Sequence, residues 1–385
     1  MLYIFRKLKR EILRVINQLI ELPVTISTYF FGALYYDFFL SKKVIISKGV
    51  LNVKNKIAIY VIYPEFGLLP SHITSINYIS SNGFTPLIIS NIKLKKFELI
   101  KLKEICWFII ERPNFGYDFG AYREGILFIN HLINKIESVV LINDSCWFPL
   151  RKENNWLLQA ESIGADFVGA ASNYGIERKV GRDYKCLNFY YSHTHKNFHY
   201  CSFALYIKNK ILNDKIFFKF WKKFPLTNRK NRTVRRGEIG LSKFIISSGY
   251  SHAETLDIKK LEEKLYEFDG DFVKKIFDYL IIPQDKILSD TKIKIILKES
   301  KEPHKVKDDH IKFILATVAL IGISYALPYY NIFSKKSSFL KKSPVWLNEE
   351  CLKTVLNIIK EIDNHICMQI KEEINLLKKN NKIKF

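Results

Sequence analysis

Two short stretches concentrate the residues that could do chemistry. "RPNFGYDFGAYREG" (residues 112–125) packs three glycines, two arginines and an aspartate into fourteen positions, and "SVVLINDS" (138–145) runs an apolar segment into Asn143-Asp144-Ser145. In the first, Asp118 could contact a ribose or a base and Arg123 a phosphate. In the second, Asp144 is a hard oxygen ligand of the kind that holds a divalent ion between two phosphates. Each stretch also has an ordinary reading: a glycine-rich turn between strand and helix, and an Asx-turn closing a strand. The first is not a P-loop, and its GxxxG spacing does not fit the dinucleotide fingerprint. The chemical reading gains from the two lying one helix apart.

Both stretches need elements to carry them. "IAIYVIYP" (57–64) is a β-branched and aromatic run closed by proline, which predicts a buried strand. "PSHITSINYISSNG" (70–83) places Ile73, Ile76 and Ile79 at helical spacing and stops at Gly83. The alternation continues through strand 85–91, helix 95–105 and strand 107–112, then a helix after Gly120 carrying Tyr122, Ile126, Ile129 and Ile133, and strand 138–143. Strands separated by helices of this length predict a parallel sheet with right-handed crossovers. Such sheets bind ligands at the carboxyl ends of their strands, where both stretches emerge. Glycines 116, 120 and 125 would let the backbone approach a ligand, and the helix that follows offers free N–H groups to an anion.

The chain has 385 residues, 48% of them hydrophobic, with 61 Lys+Arg against 38 Asp+Glu for a net charge of +23. Global disorder is excluded, and anionic partners are expected: nucleic acid, acidic lipid or phosphorylated substrates. Six widely spaced cysteines without a CxxC pair fit a reduced, cytoplasmic compartment. "KKFPLTNRKNRTVRR" (222–236) is either a solvated loop or a phosphate or headgroup contact, and Glu238 just beyond it is either a helix cap or a base. His193, His195 and His199 lack the four well-spaced ligands of structural zinc and read as solvent-facing. No nucleic-acid motif appears, and most aromatics fall within apolar strands and helices, so nucleic acid is set aside as a partner.

"RPNFGYDFGAYREG", "VVLINDSCWFPL", "ADFVGA", "HYCSFALYIKNKIL" with "FFKFW", and "GEIGLSKFIISSGY" resemble the successive blocks of the rhamnan synthesis protein F family, over roughly residues 55–260. These are bacterial glycosyltransferases that build rhamnose-containing cell-surface polysaccharide. More distantly, the pattern is similar to the nucleotide-sugar half of family-2 glycosyltransferases. The resemblance implies a GT-A-like, Rossmann-like α/β fold: a mostly parallel sheet flanked by helices, with helical N- and C-terminal extensions.

It further implies a nucleotide-sugar donor, and as acceptor a polysaccharide or lipid-linked oligosaccharide. The donor would be bound by Arg112, Asn114, Gly116, Asp118, Arg123, Asn143, Asp144 and Ser145. Asp144 would take Mg or Mn, Glu238 or Asp118 would act as base, and His199 and Ser202 would meet the acceptor. The sequence departs from the pattern at Asn143-Asp144-Ser145, with one carboxylate where Asp-x-Asp has two, at Phe148 in place of a glycine, and at Cys201 in place of a glutamine. A non-catalytic assembly protein that keeps the fold is the rival that the lone carboxylate leaves open.

Residues 1–50 form a segment with Arg6, Lys7, Lys9, Arg10 and Arg14, either amphipathic on a membrane surface or an ordinary docking helix. The membrane reading puts the protein peripherally on the inner face of the cell membrane. Residues 51–290 are the catalytic domain. In the mostly helical extension 291–385, the apolar stretch 311–333 reads as a buried or interfacial helix rather than a span. Residues 345–380 read as one long amphipathic helical pattern with Leu352, Val355, Ile359, Ile362, Ile366 and Ile370 on one stripe.

Overall fold

Runs of β-branched and aromatic residues form strands wherever both faces can be covered. In the computed structural model, which describes residues 2–151, 154–174, 184–187, 191–283, 285–300 and 306–385, these are β1 (Ile45–Lys48), β2 (Lys56–Ile62), β3 (Thr85–Ser90), β4 (Phe108–Glu111), β5 (Ser138–Asn143), β6 (Cys146–Trp147), β7 (Phe167–Asn173), β8 (His199–Tyr200), β9 (Ala204–Lys208), β10 (His252–Leu256) and β11 (Leu340–Lys341). A nine-stranded sheet has the order β1-β4-β3-β2-β5-β9-β7-β10, with β8 pairing β7. Strands β4, β3, β2 and β5 are mutually parallel, and β10 is parallel to β7. The sheet is mostly parallel, as expected; the exceptions are β9, which runs antiparallel to both β5 and β7, and the antiparallel edge strand β1. Central strand β2 is buried from Ile57 to Ile62, as expected for a strand covered on both faces.

The N-terminal helix α1 (Leu2–Tyr35) is followed by α2 (Pro70–Ser81), α3 (Lys96–Lys103) and α4 (Tyr117–Phe128), the last three lying between the parallel strands. Proline opens α2, where its missing N–H costs nothing, and Gly83 follows at φ 85°. Helix α4 begins at Tyr117 and not after Gly120. Gly116 takes the left-handed conformation at φ 84° and the helix starts four residues early, which puts Asp118 in the first helical turn. Gly120 is then interior: a β-carbon there would meet the Phe115 carbonyl and the Arg112 guanidinium.

Helix Lys307–Ile321 is buried from Ile311 to Ala319 except Lys312, and it ends at Gly322, φ 91°. Residues 345–380 form two helices, Glu349–Lys360 and Asn364–Lys379, because Asp363 accepts bonds from the amides of His365 and Ile366 and restarts the chain. The apolar stripe faces inward, with Val355, Ile359 and Ile370 fully buried. Two-residue strands β6 and β11 pair antiparallel, Lys341 opposite Cys146, so the C-terminal extension enters the main domain beside Asn143-Asp144-Ser145.

The basic stretch 222–236 is corrected too. Its second half is helical from Lys230, passes through a π-helical turn at Arg235–Ile239 and continues as Gly240–Ser247. Its arginines hold α1: Arg229 and Arg232 pair with Glu21 at 2.6 and 2.7 Å, and Arg236 donates to the Thr25 carbonyl at 3.0 Å. The opposite side of α1 and its continuation carry exposed Phe30, Phe31, Phe38 and Phe39, each at least 60% exposed. The side chains of Arg6, Lys7, Lys9 and Arg10 lie outside the described ones, and Arg14 pairs with Glu11. Among the described residues, no helix is long and apolar enough to cross a membrane.

Candidate active site

Strand β5 ends where β2 ends, and the chain turns sharply at Asn143. The Asn143 carbonyl-amide side chain works in both directions: its Oδ1 accepts from the Ser145 amide (3.1 Å) and hydroxyl (2.6 Å), while its Nδ2 donates to Asp118 Oδ2 at 2.9 Å. The Asx-turn expected as an alternative is thus present, and the same residue also reaches the glycine-rich turn. Asn143, Asp144, Ser145 and Asp118 form one edge.

Two carboxylates on that edge are pushed in opposite directions. Burial, and then the charge of Asp144, raise Asp118 to about 7; Lys341 opposes the shift, and Glu238 adds to it. Burial also works against Asp144, but the bond from His72, the charge of Lys342 and the Tyr63 amide outweigh it and hold Asp144 below its ordinary value. The Tyr63 amide donates to Asp144 Oδ2 at 2.7 Å, and His72 Nε2 lies 3.2 Å from the same oxygen. Because the Leu69 amide donates to His72 Nδ1, that nitrogen is an acceptor, and the ring proton lies on Nε2 facing Asp144. Divergent carboxyls side by side are how one site keeps an acid and a base at neutral pH. The Asp144 side chain remains 20% exposed, so a ligand can reach it.

Near this edge, Glu238 Oε1 accepts from the Ser202 amide (3.0 Å) and hydroxyl (2.7 Å), and its Oε2 lies 3.7 Å from His199 Nε2. Glu238 does not open a helix as expected but sits inside the π-helical turn. A π-bulge re-aims one side chain and is common at functional sites. Gly237 permits it by packing directly on the Phe119 ring. Tyr122 donates to the Ser202 carbonyl at 2.7 Å and ties this side to α4. His193 is not solvent-facing: it packs against Phe198 and His252, each at 5.0 Å.

The arginines are corrected. Arg112 is buried, and its guanidinium donates to the Tyr36 hydroxyl (3.0 Å), Asn91 (2.5 Å) and the Phe115 carbonyl (2.7 Å). Arg123 is buried as a bidentate partner of Asp37, both bonds at 2.8 Å, and it also donates to the Trp221 and Lys222 carbonyls. Such a fork fixes geometry, here between α4 and the end of α1, and it leaves neither arginine directed at a phosphate. Gly116 donates its amide to Asn228, and Asn114 keeps a buried Oδ1 without a partner among the described residues.

Sequence reasoning missed three residues. His72 orients Asp144. Lys341 donates to Ser145 Oγ at 3.2 Å and covers the Phe203 ring at 4.2 Å. Lys342, next to it, lies 3.5 Å from buried Glu373 and donates to Ser71 at 2.8 Å, while Glu373 also takes the Ser71 amide and the Trp147 indole. Only the helical phase of His72 in α2 could have hinted at an inward side chain, and no motif marks the lysines.

The donor set does not fit a divalent ion held by the protein. Asp144 Oδ2 is already committed, and among the described residues no three of His, Cys, Asp and Glu converge to hold a metal.

Fold and site together define an α/β protein with a cluster of polar residues at the carboxyl edge of a mostly parallel sheet. The chain belongs to the rhamnan synthesis protein F family, which it matches over residues 87–306. It is 30% identical over 278 residues to an uncharacterized protein, y4gN, of Sinorhizobium fredii, covering 71% of this chain and 67% of the relative. Solved structures similar to it include the mannosyltransferase PcManGT from Pyrobaculum calidifontis, in complex with GDP-Man and Mn2+ (11% identity, 91% of this chain and 97% of that one, TM-score 0.31). The mannosyltransferase Ktr4p from S. cerevisiae in complex with GDP is another (10% identity, 52% and 70%, TM-score 0.26). At those scores nothing about this chain's site follows from either.

Proposed function

We propose that the protein is a glycosyltransferase that moves a sugar, rhamnose in the reading its family favours, from a nucleotide-sugar donor to a growing cell-surface polysaccharide or its lipid-linked precursor. The observation that carries this is the single polar edge formed by Asp118, Asn143, Asp144 and Ser145, with two carboxylates displaced in opposite directions. Transfer with inversion needs a carboxylate to take the acceptor's proton and a polar surface to receive the departing diphosphate. Asp118 suits the first task, because a base works best when its proton affinity matches the working pH. Ionised Asp144, oriented by His72, would hold a donor hydroxyl, and Glu238 with Ser202 and His199 would line the acceptor side.

Attachment to the inner face of the membrane is part of the same reading. It is supported by the exposed phenylalanines along and beyond α1 and by the net charge of +23, which suits anionic lipid.

A screen across nucleotide sugars with lipid-linked acceptor tests the activity. The expected result is transfer or slow hydrolysis of one donor, abolished in Asp144→Ala while the thermal midpoint is kept. Failure with every donor would favour the non-catalytic assembly role, and full activity in Asp144→Ala would remove Asp144 from the chemistry.

A further inference from the structure

Lys341 is delivered to the edge by a strand from the far end of the chain, pairing opposite Cys146, two residues beyond Asp144. Its ammonium donates to Ser145 Oγ at 3.2 Å and lies 4.2 Å from the centre of the Phe203 ring. Among the described residues no carboxylate stands within ion-pair distance of it. The neighbouring cations differ: Lys342 faces Glu373 at 3.5 Å, Arg123 faces Asp37 at 2.8 Å and Arg112 faces Glu124 at 3.9 Å. Burial works against the Lys341 charge, but its surroundings, Glu238 among them, more than offset that, and the group is held above its ordinary value. The charge is therefore kept, next to the residue that follows the lone carboxylate, without a permanent counter-ion in the described structure.

We infer that Lys341 is the cation that receives the donor's diphosphate, in place of an ion held by a second carboxylate in Asn143-Asp144-Ser145. The inference rests on the nucleotide-sugar reading above and assigns that reading its phosphate site. When the bond between the anomeric carbon and the diphosphate oxygen breaks, the electron pair stays on that oxygen, which faces the Lys341 ammonium. The acceptor's hydroxyl oxygen forms the new bond to the same carbon, and its proton passes to Asp118. The Ser145 hydroxyl, bonded to both Asn143 and Lys341, fixes the ammonium over the turn. Lys342 and Glu373 anchor the strand that carries it, so position is set by a buried pair and charge by the residue beside it.

The test is binding of fluorescent UDP, GDP and TDP to the full chain, once with EDTA and once with Mn2+, for the parent, Lys341→Ala and Lys341→Arg, each checked by its thermal midpoint. The parent is expected to bind one nucleotide with affinities that agree within about threefold in the two conditions. Lys341→Ala is expected to lose about tenfold or more in both, as removal of a charged hydrogen bond does, and Lys341→Arg to keep most of the affinity. Binding by the parent only with Mn2+ would overturn the assignment while leaving the nucleotide-sugar reading standing. So would Lys341→Ala binding like the parent. No binding by the parent in either condition would overturn both.

Discussion

Asp118 and Asn143 are joined by a 2.9 Å hydrogen bond from the amide of one to the carboxylate of the other. The bond makes the glycine-rich turn after β4 and the end of β5 one rigid unit. A ligand at this edge would meet them as a single surface, so changes on either side should be felt on the other.

Asp118, raised to about 7, sets a pH dependence of both activity and stability. As a base it must be ionised, so turnover should rise with pH through an apparent value near 7 and then level off, and Asp118→Asn should abolish it. For stability the sign is the reverse. A carboxyl whose folded value exceeds its ordinary 3.8 favours folding fully when protonated in both states, and that contribution is lost as pH rises through about 7. Asp118→Asn should therefore gain stability on the parent between pH 4 and 7 and keep a constant margin above it. Urea unfolding at several pH values would reveal this, and parallel curves would refute it.

Glu373 and Lys342 are both nearly fully buried. Removing either alone leaves an unpaired charge in the interior, which costs about 3–5 kcal/mol. Glu373→Leu or Lys342→Met should each lower stability by that order, and the double variant should recover much of it. Burial opposes the Glu373 charge, but Lys342 and Ser71 hold it below its ordinary 4.5, so its contribution is present at neutral pH and lost as pH falls below that value. Single variants should also lose turnover, because the strand bearing Lys341 loses its anchor.

Arg123 binds Asp37 and two carbonyls, so its role is to dock α1. Arg123→Lys cannot reproduce the fork and should lower the thermal midpoint and expose α1 to protease. Nucleotide affinity should change by less than about threefold, well short of the loss expected when a charged contact to a ligand is removed. A tenfold loss of affinity in a folded Arg123→Lys protein would restore the phosphate role.

Gly116 combines φ 84° with a close neighbour: a β-carbon would stand 2.6 Å from Leu226 Cδ2. Gly116→Ala should cost on the order of 1–3 kcal/mol of strain and weaken nucleotide binding, because Asp118 lies two residues on. Calorimetric unfolding and titration together would test it.

Membrane attachment is best tested without deleting α1, since a cut through residue 45 also removes Asp37 from Arg123. Replacing Phe30, Phe31, Phe38 and Phe39 by serine should reduce partition onto anionic vesicles by at least about tenfold, a loss of about 1.4 kcal/mol. Unchanged partition would mean that these side chains do not enter lipid.

The strands were legible because a buried strand must be continuously apolar, and β2 and β5 are. Asp144 was legible because it directly follows such a run, and Asp118 because it is a charged residue in the glycine-rich turn after β4. The arginines misled because residue type in a turn does not tell which way a side chain points. Arg123 is turned inward by Asp37, 86 positions earlier, and Arg112 by Tyr36, 76 earlier. The basic stretch misled for the same reason, since its partner Glu21 lies in α1. Lys341 was invisible because nothing in "FLKKSPV" distinguishes one lysine from the next. Only its pairing with β6, and a bond across 196 residues to Ser145, give it a place.

The ribbon of β6 and β11 bears on the order in which the protein is made. The sheet and the edge with Asp118 and Asp144 are encoded by residue 256, yet the lysine beside them and the glutamate that anchors it come at 341 and 373. A nascent chain emerging from the ribosome can thus build its sheet early and still hold an incomplete site, which gains its last component only after residue 373 has been made.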